Sequence, residues 1–168
     1  MNSNRVLVDY TRAAPGFITS KRAFSMMEFI RSCDGAPEEA LALLFRKSKL
    51  LLRKLRGAGM VYRVWVENTV LWLPVNTLPP LNPDLFFRKT AIGWLAARLK
   101  ESGGRYEKGS AVFPNGAVFH VALVPPVPKG SCLAVIMRPG NSYLQKGSVW
   151  VFWEDLKTKN IKECLKSV

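Results

Sequence analysis

The chain has 168 residues, 48% of them hydrophobic, and carries 25 Lys plus Arg against 12 Asp plus Glu, a formal net charge of +13. That apolar share argues against wholesale disorder, and the charge points to a polyanionic partner, either nucleic acid or an anionic membrane face. Apolar runs such as residues 117–124 fall far short of the ~20 residues a membrane span needs.

Residues 1–19 read as an N-terminal arm or edge strand, with a strand-like piece at 6–8 that loosens at Ala13-Ala14-Pro15-Gly16. The first residues lack the apolar core and small-residue cleavage site of a signal peptide. Ser20 is a candidate N-cap for an amphipathic helix to about Cys33, with Phe24, Met26, Met27 and Ile30 on its apolar side. Asp34-Gly35 breaks it. Ala36-Pro37-Glu38-Glu39 is expected to open a second helix, because proline suits a first turn and glutamates there complement the helix dipole. Leu41, Leu44 and Phe45 form its buried side. Arg46-Lys47 is the turn, and Ser48 caps a third helix running to about Ala58. Steps of ~100° set Leu51, Leu52, Leu55 and Ala58 on one side of that helix. Lys49, Leu50, Arg53 and Lys54 point away, and Arg56 sits at the margin. Gly59 is the expected stop. Strands at 62–66 and 69–73, rich in β-branched and aromatic residues, flank a tight turn at Glu67-Asn68.

Residues 74–83 contain four prolines and no charge. They place a semi-rigid linker at 76–83 between a domain at 20–75 and a second at 84–168. In the second domain the pattern predicts a helix from Asp84 to about Ser102 and strands at 106–113, 117–124, 133–137 and 149–153. A last helix is expected over 155–165. The fold class read from this is α+β, with the second domain in the order α-β-β-β-β-α and no internal repeat.

The most informative stretch is 46–63, where seven residues are basic (Arg46, Lys47, Lys49, Arg53, Lys54, Arg56 and Arg63) and none is acidic. One apolar and one cationic stripe on a helix, followed at once by a hairpin, suit double-stranded DNA: the first docks on a core and the second faces phosphates and base edges. Residues 20–75 resemble the winged helix-turn-helix DNA-binding family, most specifically in the run from Ser48 to Arg63. That resemblance implies a third helix in the major groove and a hairpin along the phosphate backbone. It assigns Lys49 and Arg53 to base edges, Arg being the usual bidentate partner of guanine. Arg46, Lys47, Ser48, Lys54, Arg56 and Arg63 fall to phosphates, with capping of the helix the alternative role for Ser48. Two features depart from the family pattern. Phe45 stands where a small turn residue is common, and the hairpin tip, Glu67-Asn68, is not basic.

The second half, following a basic winged helix, resembles the replication-relaxation proteins of plasmids and integrative elements, whose second domain is similar to the restriction-endonuclease core. That core holds Mg²⁺ on an Asp in a Pro-Asp turn and an (Asp/Glu)-x-Lys on the next strand. Here the comparable turn is Pro114-Asn115-Gly116, the strand after it has no acid, and Glu107 is a lone carboxylate. The resemblance therefore implies a catalytically dead scaffold, with no catalytic residue, metal or cofactor. Lys129 and Arg138 are further cations there, with nothing in the sequence to choose between them. His120 reads as a strand residue. No nucleophile elbow, Walker loop or Gly-x-Gly-x-x-Gly is present. Trp65, Trp72, Trp94, Trp150 and Trp153 read as packing residues rather than base-stacking platforms. Cys33, Cys132 and Cys164 are odd in number and widely separated, which suits a reducing compartment and not a disulfide framework or zinc site.

The expectation is a non-enzymatic double-stranded DNA-binding protein of transcriptional regulation or of plasmid and mobile-element replication and transfer. It would be cytoplasmic and nucleoid-associated. Its second domain would serve a homodimer or dock replication and transfer proteins. Two alternatives stay open: an Mg²⁺-dependent nuclease or relaxase-like enzyme with a non-standard site at Glu107, and a protein-interaction adaptor built on a winged helix.

Overall fold

The structure, a computed structural model, describes residues 5–10, 17–139 and 144–168. The loosening expected at 13–16 lies outside the described residues. Among those described, the fold is mixed α+β with six helices and two sheets. Two compact units divide at Gly93 and Trp94, inside a long helix rather than in the proline-rich stretch.

The first unit runs β1 (Leu7–Asp9), α1 (Lys21–Ser32), β2 (Ala36–Pro37), α2 (Glu38–Leu44), α3 (Ser48–Gly57), β3 (Val61–Val66), β4 (Thr69–Pro74) and the beginning of α4 (Pro83–Glu101). Its antiparallel sheet has the order β1-β3-β4-β2. Ser20 caps α1 as expected, its Oγ accepting the Ala23 N–H at 3.4 Å. The buried side of α1 is Ala23, Met26, Met27, Phe29 and Ile30, whereas Phe24 is 57% exposed. Phe24 was expected inside; Phe29, five residues on and on a different side of the helix, is buried instead. Tyr62, Val64, Val66, Leu71, Leu73 and Phe86 form a core cluster, with Val6, Val8 and Phe87 packed against it.

Two expectations are corrected here. Ala36-Pro37 does not open α2 but pairs with β4, Ala36 opposite Trp72 and Pro37 opposite Leu71. Proline has no N–H to continue a ladder, so the strand stops there and the helix starts at Glu38. Ser48 is not the cap of α3. The cap position is Lys47, in the left-handed region at φ 62°, with no side-chain capping bond, and Ser48 is the first helical residue. The far end behaves as expected: Gly59 takes φ 69°, and the Met60 N–H reaches back to the Leu55 carbonyl at 3.0 Å.

Gly93 matters because of what lies next to it. A Cβ there would stand 2.5 Å from Pro37 Cδ, 3.0 Å from the Gly35 carbonyl oxygen and 3.1 Å from Ala36 Cα. Only a residue without a side chain lets α4 approach β2 this closely. Gly93→Ala is expected to lower stability by about 1–3 kcal/mol through overpacking. That outweighs the ~1 kcal/mol alanine gains as a helix former. A urea midpoint unchanged or raised by the substitution would show that the contact yields freely.

All three cysteines are free and buried. Burial pushes the Cys33 thiol from 9.0 up to about 12. A raised acid of this kind favours the folded state fully below pH 9, and that contribution drains away as pH climbs toward 12. Stability of Cys33→Ala should therefore fall less steeply over that window than stability of the parent protein. Parallel slopes in denaturant titrations stepped through alkaline pH would contradict this.

The second unit comprises the remainder of α4, then β5 (Arg105–Glu107), β6 (Ser110–Val112), β7 (Val118–Val124), β8 (Leu133–Ile136), β9 (Val149–Phe152), α5 (Asp155–Thr158), α6 (Ile161–Cys164) and β10 (Lys166–Ser167). The sheet order is β10-β9-β8-β7-β6-β5, with β7, β8 and β9 mutually parallel and the other pairs antiparallel. The strand expected at 106–113 is instead a hairpin. It turns at Lys108 and Gly109, whose consecutive φ values of 48° and 80° suit a tight primed turn. The helix expected over 155–165 breaks at Lys159-Asn160, where the Asn160 side chain caps α6 through the Glu163 N–H at 3.1 Å. The chain then returns as β10, so the observed order is α-β-β-β-β-β-α-α-β. The strand β9 is an interior one, flanked by β8 and β10.

Candidate nucleic-acid interface

The helix α3 is held by its apolar seam: Leu51, Leu52 and Leu55 are buried. The opposite side carries Lys49, Arg53 and Lys54, all exposed, with exposed Arg46 and Lys47 in the turn before it. None of these five side chains makes an ion pair or hydrogen bond among the described residues. An exposed, unpaired row of this kind leaves its charge available to a partner, which distinguishes it from the remaining sequence-predicted positions.

Those remaining three stand differently. Ser48 is only 7% exposed and is the first residue of α3, so it offers far less surface than the cations around it. Arg56 and Arg63 both converge on Asp9 Oδ2, at 2.8 and 3.0 Å. Arg63 also lies over the Trp65 ring, 5.6 Å from its centroid. The absence of acid from residues 46–63 holds along the chain but not in space, because β1 pairs with β3 and sets Asp9 opposite Arg63. Two guanidiniums against one carboxylate still leave the group net positive.

A recess of about 190 Å³ borders the cationic row, lined by Glu38, Lys49, Leu52, Arg53, Arg56 and Trp72. The Trp72 indole N–H donates to Glu38 Oε2 at 3.0 Å and holds that carboxylate in place. Sequence reasoning gave Glu38 no part beyond complementing a helix dipole. Its position follows from the two-residue pairing of β2 with β4, which seats the start of α2 beside Trp72. The hairpin β3–β4 turns at Glu67, φ 51°, and Asn68, so its tip carries no cation, as read from the sequence.

In the second unit, the residues compared with a nuclease centre are occupied locally. Asn115 Oδ1 accepts the Ala117 N–H at 3.0 Å and shapes the turn between β6 and β7. Glu107 pairs with Arg105 at 3.2 Å on the β5–β6 hairpin. Among the described residues, no three His, Cys, Asp or Glu side chains gather closely enough to hold a metal ion.

No protein-family model matches the chain, and neither a curated protein nor a solved structure matches it. No helix among the described residues is long and apolar enough to cross a membrane.

Proposed function

We propose that this is a double-stranded DNA-binding protein whose first unit acts as a winged helix, with α3 in the major groove. Lys49 and Arg53 reach base edges, and Arg46, Lys47 and Lys54 grip phosphates. Arg56 and Arg63 contribute less, since they share Asp9. The observation that carries the reading is α3 itself: three buried leucines anchor it while Lys49, Arg53 and Lys54 stand exposed and unpaired. The succession of three helices and a hairpin supports it as well. The setting is transcriptional regulation or the replication and transfer of a plasmid or mobile element, with the second unit serving a homodimer or docking replication and transfer proteins.

The test is a fluorescence-anisotropy titration of a labelled duplex across salt. Each phosphate neutralised releases counterions and adds roughly −0.9 to the slope of log K against log salt. A handful of phosphate contacts should therefore give a slope of roughly −3 to −5. Binding that ignores salt between low and physiological concentration would remove DNA as the partner.

A further inference from the structure

The parallel strands β8 and β9 are each introduced by the same three residues: Lys129-Gly130-Ser131 before β8 and Lys146-Gly147-Ser148 before β9. The match is too short to register as a sequence repeat, but the sheet gives it meaning. Both glycines take positive φ, 94° and 87°. The Val149 N–H donates to the Cys132 carbonyl at 3.0 Å, so the two turns lie side by side at one end of the sheet. They are also bonded across: the Ser131 hydroxyl donates to the Lys146 carbonyl at 3.5 Å, and Ser148 Oγ accepts the Cys132 N–H at 3.3 Å.

This register brings together two lysines that are distant in sequence. Both are exposed, and neither ammonium has a partner among the described residues. No Asp or Glu occurs between Glu107 and Glu154, so the segment that builds β6 to β9 supplies no carboxylate to neutralise them. The adjacent β10 adds Lys166, which lies over the Trp150 ring at 4.5 Å. Around Gly130 the space where a side chain would stand is open, which lets an anion come close to the main chain.

We infer that the paired Lys-Gly-Ser turns form a second phosphate-binding site, which takes the sugar-phosphate backbone of nucleic acid and not its base edges. Lysine is a compact point charge suited to phosphate, and no planar fork is present to read a base. The site rests on the DNA-binding reading and extends it to the second unit. Of Lys129 and Arg138 it takes Lys129, because the turn that holds Lys129 is hydrogen-bonded to the turn that holds Lys146.

The experiment compares salt-dependent anisotropy of the full chain with Lys129→Gln plus Lys146→Gln, and with Lys129→Arg plus Lys146→Arg, on two duplexes of unrelated sequence. The Gln pair is expected to make the log–log slope shallower by roughly 1–2 and to weaken both duplexes about equally. The Arg pair should restore both quantities. A Gln variant that melts like the parent and keeps its slope overturns this site and leaves the role of α3 standing. A loss confined to one duplex also overturns it, because backbone contacts carry no sequence information. A parent protein with no salt-dependent binding overturns both.

Discussion

Arg98→Met should cost the protein about 3–5 kcal/mol of stability. The Arg98 side chain is 8% exposed, yet it is fully engaged. Its Nε donates to the Leu156 carbonyl at 2.7 Å, one terminal nitrogen to the Lys157 carbonyl at 3.1 Å, and the other to Glu101 at 2.8 Å. The two carbonyls belong to α5, a helix of four residues, too short to satisfy its own last turn. Methionine keeps much of the volume but leaves both oxygens without that donor, at about 1–3 kcal/mol apiece. It also removes the cation 5.6 Å from the Trp94 ring centroid. Arg98→Lys should recover only a minor part, because one ammonium cannot serve three acceptors in a planar fork. Urea denaturation of the full chain measures the loss, and hydrogen exchange in β9 and α5 shows where it falls. A loss below about 1 kcal/mol would mean that water replaces the guanidinium at little cost.

The second large effect concerns binding. Lys49→Ala combined with Arg53→Ala should weaken duplex affinity by a few kcal/mol, at ~1–3 kcal/mol for each good base contact. Both side chains are exposed on a helix anchored from its other side, so helix content and melting temperature should hardly move. Lys54→Ala should cost less and act evenly across sequences, as a phosphate contact does. Gel-shift or anisotropy titrations on a preferred and an unrelated duplex separate these outcomes. Undiminished affinity in the double variant would withdraw α3 from the interface.

Local chemistry made much of this architecture readable. The three helices of the first unit follow from leucine and methionine spacing, and α4 from apolar residues including Phe87, Ile92, Leu95 and Leu99 before the stop at Gly103-Gly104. The hairpin β3–β4 follows from its β-branched and aromatic residues. Two failures had local signals that were outweighed. Lys108-Gly109 is a tight-turn pair inside what read as one continuous strand, and Asn160 is a helix cap inside what read as one continuous helix. Other features had no local signal. A two-residue strand ending in proline resembles a helix start, so β2 could be recognised only from its pairing with β4. Asp9 and Arg63 are far apart in the chain, and nothing near either announces that β1 will lie along β3. At the proposed interface, exposure of Lys49, Arg53 and Lys54 was legible from periodicity. The place of Ser48 as first helical residue was not, because Lys47 in the left-handed conformation takes the cap position.

The Asp9 pairing bears on how firmly the protein would adhere to any polyanion. A phosphate arriving at Arg56 or Arg63 would find a carboxylate already seated. On the proposed reading the Asp9 carboxylate would brake indiscriminate stickiness and leave selectivity to the outer side chains of α3. A three-residue edge strand would in this way temper the behaviour of a helix from which it is remote in sequence.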